Sequence, residues 1–183
     1  MERNVAMIAL FAALIAILGL VPPITLAFGV PITAQTLGVM LCGTVLGARR
    51  GAMAALLFVG LVALGLPLMS GGRGGLGVFV SPTAGFLIGF PVAAFATGWI
   101  VERWRGAPLP LVAGLASVAG GIAVLYACGI VGLSVVLDRS PGEAALLSAA
   151  FLPGDLLKAA IAGVLTAGLA RARPGSVLSR GDG

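Results

Sequence analysis

The sequence predicts an all-α membrane protein of six transmembrane helices with both termini in the cytoplasm. Three observations carry this. Of 183 residues, 60% are hydrophobic and 9% charged, with a mean hydropathy of +1.16, whereas soluble domains average ~25% charged. The apolar residues fall into six continuous runs broken by Pro, Gly or charge. The basic residues cluster on alternate connections. In water such a chain would expose large apolar surfaces and aggregate, and disorder requires the opposite composition.

A hydrocarbon core of ~30 Å asks for about 20 apolar residues per helix. The first run, 5–21, has no charge and ends at Pro22-Pro23; it reads as a retained helix rather than a cleaved signal peptide. The second, 33–48, opens after Pro31 and is closed by Arg49-Arg50. The third, 51–69, is followed by the Gly-rich stretch 70–77 and Pro82. The fourth, 83–101, ends at Glu102-Arg103-Trp104-Arg105, and the fifth, 109–137, is long enough to tilt. Asp138 to Glu143 is a polar turn, 144–151 a short apolar approach of open conformation, and 153–170 the sixth span. Residues 174–183 read as a disordered tail, and the whole chain as one membrane domain. Each span must be helical, since lipid cannot satisfy open backbone groups, and the runs lack the polar–apolar alternation of a porin strand.

With the N-terminus inside, the inner segments hold eight arginines: Arg3, Arg49, Arg50, Arg103, Arg105, Arg171, Arg173 and Arg180. The outer segments hold two, Arg73 and Arg139. This bias places both termini in the cytoplasm and makes the net charge of +5 a mark of topology rather than of nucleic-acid binding. The outer connections are longer and richer in Gly and Pro, which points to an external working face.

Composition excludes several chemistries. There is no His, and the one Lys, Lys158, follows Leu157 rather than Gly; His-based triads and shuttles, HExxH zinc sites and a Walker A loop are all absent. Cys42 and Cys128 lie in apolar runs and read as small buried thiols. Gly72-Arg-Gly-Gly-Leu-Gly77 matches G-x-G-x-x-G but lacks the strand–turn–helix context of a dinucleotide site, and Arg180-Gly-Asp182 sits on the inner tail. No nucleophile–base arrangement is visible, so the chain is expected to be no enzyme and to need no cofactor or metal.

Two ionisable acid/base side chains fall within the spans, Asp155 and Lys158. Their i, i+3 spacing puts them on one helix face, near the outer end, with Asp155 in the first turn behind Pro153 and Gly154, where the helix dipole favours an anion. Charges inside a span are costly and commonly functional. The bland alternative is a neutralised pair or a snorkelling Lys. Thr25, Thr33, Gln35, Ser81, Thr83 and Tyr126 are polar residues on the same outer side that can complete a site.

Four segments together resemble the BioY family, the biotin-binding S components of energy-coupling factor (ECF) vitamin transporters: Val30-Pro-Ile-Thr-Ala-Gln-Thr-Leu-Gly-Val39, Gly71-Gly-Arg-Gly-Gly-Leu-Gly77, Pro82-Thr-Ala-Gly-Phe-Leu-Ile-Gly-Phe90 and Phe151-Leu-Pro-Gly-Asp-Leu-Leu-Lys158. The resemblance covers about residues 5–170. One departure is Ser81-Pro-Thr-Ala-Gly-Phe86, where the family usually has Gly-Pro-Thr-Gly-Gly-Tyr, so no ligand hydrogen bond is assigned to Phe86. The resemblance implies an S-component-like bundle in the cytoplasmic (inner) membrane that takes up biotin with high affinity. Transmembrane coupling and ATPase subunits would be its partners. Asp155 suits the ureido N–H groups of biotin; Lys158 offers a cation to an end of the ligand left open. Gln35, Thr33 and Tyr126 are candidate polar contacts, and Arg73 is a candidate for attracting the anionic vitamin or else a solvated loop residue. Ala9 with Ala13, and Ala12 with Ala16, are small residues four apart on the first helix; the resemblance gives them to docking on the coupling subunit. A self-sufficient biotin facilitator or secondary transporter, an S component for another small vitamin, and a homo-oligomer all remain open.

Overall fold

The structure, a computed structural model, describes residues 2–25 and 31–181. Seven helices account for most of it: α1 (Glu2–Leu18), α2 (Gln35–Leu46), α3 (Ala48–Ala63), α4 (Ala84–Arg103), α5 (Leu109–Leu137), α6 (Pro141–Ala149) and α7 (Leu152–Ala172). A two-residue antiparallel ribbon, β1 (Ile24–Thr25) on β2 (Pro31–Ile32), pairs Ile24 with Ile32 and Thr25 with Pro31. Thr25 and the start of the 30–39 motif have side chains outside the described residues.

Three helices, α4, α5 and α7, are long and apolar enough to cross a membrane. Helix α2 has 12 residues, about 18 Å at 1.5 Å per residue, and would be too short for a lipid-facing span. It is buried along nearly its whole length and packs on α1, α3, α4 and α7, so its length answers to the bundle rather than to lipid. The break between the second and third runs also moves. The sequence places it at Arg49-Arg50; the structure turns at Gly47, whose φ of 85° is left-handed and favours glycine, and whose added Cβ would strike the Glu102 carboxylate. Arg49 and Arg50 therefore lie in the first turn of α3.

The helices alternate in direction. At one end lie the start of α1, the α2–α3 turn, the end of α4 and the chain's C-terminal segment. Arg3 Nη2 donates to the Gly175 carbonyl, Ser179 N to Val45 O at 3.0 Å and Arg180 Nη2 to Trp104 O at 3.1 Å. The expected disorder of the tail is thus corrected for 174–181. Pro174–Ser176 form a 3₁₀ turn, and Val177 and Ser179 are buried, because the Ser179 hydroxyl donates to the Thr44 carbonyl.

Helix α1 is apolar all round, and packing decides which alanine stripe faces inward. Ala12 is 3% exposed and Ala16 is half-buried against the core. Ala12 therefore points into this chain, while Ala16 keeps part of its surface free. Ala9 and Ala13 lie on the exposed side.

The 144–151 approach is resolved as helix α6 plus a turn. Its capping box is explicit: Ser140 Oγ accepts from Glu143 N at 3.3 Å, and Ser140 N donates to Glu143 Oε2 at 2.9 Å. The Ser140 backbone N–H, then its hydroxyl, with a smaller contribution from Arg139, hold the exposed Glu143 carboxyl below its usual range. A lowered folded-state value means that its contribution is present above the ordinary glutamate pKa of ~4.3 and is lost as pH falls through the lowered value. Ser140→Ala is expected to cost about 1 kcal/mol of local helix stability. Hydrogen exchange along α6 reads it as about a fivefold loss of protection, and protection in the native chain should also fall on strong acidification; unchanged protection in both would reject the cap.

Candidate functional site

At the opposite end of the bundle one pocket gathers the openings of α2, α4 and α7, the middle of α5 and the loop after α3. It is lined by Thr33, Gln35, Thr36, Arg73, Thr83, Tyr126, Asp155 and Lys158 among polar residues, and by Ile32, Met69, Phe86, Leu87, Phe90, Leu125 and Phe151 among apolar ones. All six residues singled out as ligand contacts therefore meet in one place. The free space between them is about 50 Å³, room for a few waters rather than a vitamin.

Asp155 is 3% exposed and sits in the first turn of α7. Its Oδ1 accepts from Lys158 Nζ at 2.8 Å and from Thr36 Oγ1 at 2.9 Å; Oδ2 accepts from the Tyr126 hydroxyl at 2.8 Å. A carboxylate has about four lone-pair sites, so Oδ2 keeps one acceptor position. Lys158 is saturated. Its three N–H donors go to Thr33 O at 2.5 Å, Thr36 Oγ1 at 3.0 Å and Asp155 Oδ1. A ligand group reaches the ammonium only by displacing one of these, so its first function here is to hold the carboxylate charge in an apolar setting.

Thr36 joins the two charges by donating to one and accepting from the other. Sequence reasoning did not select it, although it lies in the same quoted motif three residues after Thr33. The aromatic wall was missed as well. Phe86, Tyr126 and Phe151 pack edge-to-face around a common centre, with ring centroids 5.8–6.5 Å apart. Their alignment depends on three separate elements, which no linear spacing reports.

Gln35 has a different role from the one its polarity suggests. It is 1% exposed; its Nε2 donates to Ile15 O at 3.2 Å and Leu68 O at 3.1 Å, and its Oε1 accepts from Ser70 N at 3.2 Å. These bonds tie α1 and the loop after α3 to the start of α2. Thr33 contributes its carbonyl to Lys158, while its hydroxyl accepts from Gln35 N at 3.3 Å.

Arg73 is not a solvated loop residue. Its Nε donates to Ser70 O at 3.3 Å and its Nη1 to Thr83 Oγ1 at 3.5 Å, while Nη2 is buried with no partner among the described residues. The Ser81 hydroxyl donates to Val78 O and shares a hydrogen with Thr83; Thr83 lines the pocket and Ser81 does not. The site thus offers an acceptor at Asp155, an open cationic donor at Arg73 and an aromatic–aliphatic lining between polar groups. That arrangement suits a small ligand with N–H donors, an apolar body and an anionic group.

Comparison with known proteins agrees. The model of the BioY family matches residues 2–175. A biotin transporter BioY of Rhodobacter capsulatus is 54% identical, over 99% of this chain and all of the relative. One from Rhizobium etli is 53% identical over 89% of this chain and 90% of the relative. The 2.1 Å crystal structure of an S-component for biotin from an ECF-type ABC transporter superposes with a TM-score of 0.87 at 26% identity, covering 93% of this chain and 92% of the other. Sequence, fold and pocket agree, and the chain belongs to the BioY family.

Proposed function

We propose that this chain is a multi-pass protein of the cytoplasmic membrane that captures biotin from outside, as the substrate-binding S component of an ECF-type transporter. In this reading α1 to α5 and α7 are the six spans and both termini are cytoplasmic, supported by the eight arginines that the fold gathers at the end opposite the pocket. Coupling and ATPase subunits supply the driving force, and the exposed Ala9–Ala13 side of α1 is the docking face.

The observation that carries the reading is the Asp155 network inside an apolar, aromatic pocket. Biotin has two ureido N–H donors, a thioether ring and a valerate carboxylate. The ureido group fits the open acceptor of Asp155, the ring fits among Phe86, Tyr126 and Phe151, and the carboxylate answers the free Nη2 of Arg73. Entry requires the rim to part. The loop carrying Met69 and Arg73 is suited to this, since Gly71 and Gly72 are exposed and in left-handed conformations.

Titration of the purified chain with a panel of vitamins tests the assignment: biotin should bind most tightly, and a better ligand would replace it. Arg73→Gln is expected to weaken biotin about tenfold, in keeping with loss of a charged hydrogen bond of about 1.5–3 kcal/mol. The same variant should barely change binding of biotin methyl ester, which lacks the anion; equal losses for both would move the carboxylate elsewhere. Vesicle uptake by this chain alone, against uptake with coupling and ATPase subunits, separates an S component from a self-sufficient facilitator.

A further inference from the structure

The arginine-rich end of the bundle encloses a second cavity, of about 790 Å³, between the α2–α3 turn, the end of α4 and the C-terminal segment. We propose that this groove binds the phosphate head group of an anionic phospholipid, with an acyl chain lying along the exposed face of α4. The inference rests on the membrane-spanning reading above, and it concerns residues with no part in the biotin pocket.

Charge comes first. Arg49, Arg50, Arg103 and Arg105 line the groove, and Arg180 is bonded to its rim. The acidic residue in the lining is Glu102, whose Oε1 accepts from Ala48 N at 2.9 Å. Among the described residues none of these five arginines forms an ion pair, and Arg49 and Arg50 make no side-chain hydrogen bond. Arg105 Nη1 donates to the Arg180 carbonyl at 3.2 Å, which brings the two residues together. Arg180 Nε is buried and unpartnered among the described residues, and burial, then the charge of Arg105, hold the Arg180 guanidinium below its usual range. An anion entering here relieves that repulsion.

The second observation concerns shape. The groove is also walled by Phe95 and Trp99, which are 45% and 47% exposed. With Ile88 and Val92, also exposed, they form a strip at i, i+4, i+7 and i+11 on one side of α4, about 16 Å long. The strip ends at Arg103, whose guanidinium lies 5.2 Å from the centre of the Trp99 ring. An apolar strip, an indole at its end and a cluster of arginines beyond follow the depth order of a phospholipid: chain, interface, phosphate. An acidic soluble segment would match the arginines but leave the strip unused.

The chain's two tryptophans, Trp99 and Trp104, both lie at this end, so their fluorescence reports the groove. The full chain is placed in mixed phosphatidylcholine–phosphatidylglycerol vesicles with one lipid at a time brominated on its acyl chains. Brominated phosphatidylglycerol should quench about fivefold more per molecule than brominated phosphatidylcholine. Arg49→Gln with Arg50→Gln should bring the two to parity while biotin titration stays unchanged; Arg105→Gln alone serves if that pair does not fold. Equal quenching in the unaltered chain, or a preference that survives the substitutions, overturns the proposal. So does abolition of the preference by inorganic phosphate, which would make the site one for a free anion. If the substitutions instead release the coupling subunit with lipid quenching at parity throughout, the groove belongs to a protein partner. Absence of quenching by either lipid would reject the membrane-spanning reading itself, while unchanged biotin titration would leave the ligand pocket standing.

Discussion

Asp155→Asn is expected to weaken biotin binding by about a hundredfold or more. The substitution keeps the shape of the side chain but removes its charge. Lys158 then retains a positive charge, with its side chain 15% exposed and its counter-ion gone. Breaking a buried pair on one side costs about 3–5 kcal/mol, and 1.4 kcal/mol is a factor of ten in affinity. Part of that cost falls on the free protein, which lowers the expected effect toward the low end. An asparagine also has one acceptor oxygen and a donor amide in place of two acceptors. It cannot receive Tyr126, Thr36 and Lys158 as well as a ureido N–H. Lys158→Met combined with Asp155→Asn separates the two contributions: removing both charges should restore thermal stability toward that of the native chain without restoring binding. Calorimetric titration of the single and double variants measures this. Native affinity in the double variant would show that the pair merely anchors the helix.

That pair was legible because chemistry marked it. Two opposite charges in an apolar run are conspicuous, and i, i+3 spacing fixes a common face whatever the rest of the fold. Gln35 shows where such reasoning ends. A polar residue at the mouth of a pocket resembles a ligand contact, yet its amide is spent on carbonyls 20 and 33 residues away, and no local pattern records distant backbone acceptors. The alanines of α1 show a second limit. Ala9 and Ala12 differ by 300° around a helix of 3.6 residues per turn, so two alanine stripes lie side by side. When every face is apolar, periodicity carries no orientation; contacts with α2 and α3 place Ala12 inside. The length of α2 misleads for a related reason, since the lipid rule applies to helices that touch lipid. Thr36 escaped notice because threonine in a membrane helix commonly bonds its own backbone. Only the approach of α7 to α2 turns it into the link between the two charges.

The largest expected effect on stability lies far from any charge. Gly85→Leu should prevent α4 and α5 from meeting. At this crossing the backbones touch. A Cβ placed on Gly85 would lie 2.5 Å from Cys128 O and 2.8 Å from Gly132 Cα, and one placed on Gly132 would lie 2.5 Å from Gly85 Cα. Overpacking a core commonly costs about 1–3 kcal/mol when side chains can yield; here the obstacle is main chain on the opposing helix, so the helices must separate. The consequence reaches the pocket. Phe86 and Phe90 are carried by α4, and Leu125 and Tyr126 by α5, so a wider crossing draws the Tyr126 hydroxyl away from Asp155. Gly60→Leu is the matched control. Gly60 lies within α3, and a Cβ added there would meet nothing within 4 Å, so replacing this helical glycine should be neutral or stabilising by about 0.5–1 kcal/mol. Thermal unfolding in detergent, followed with and without biotin, distinguishes the two sites. Gly85→Leu should lose both its cooperative transition and its stabilisation by biotin, whereas Gly60→Leu should keep both. A Gly85→Leu chain that melts like the control would mean that the helices do not cross in contact, and the placement of Tyr126 against Asp155 would lose its support.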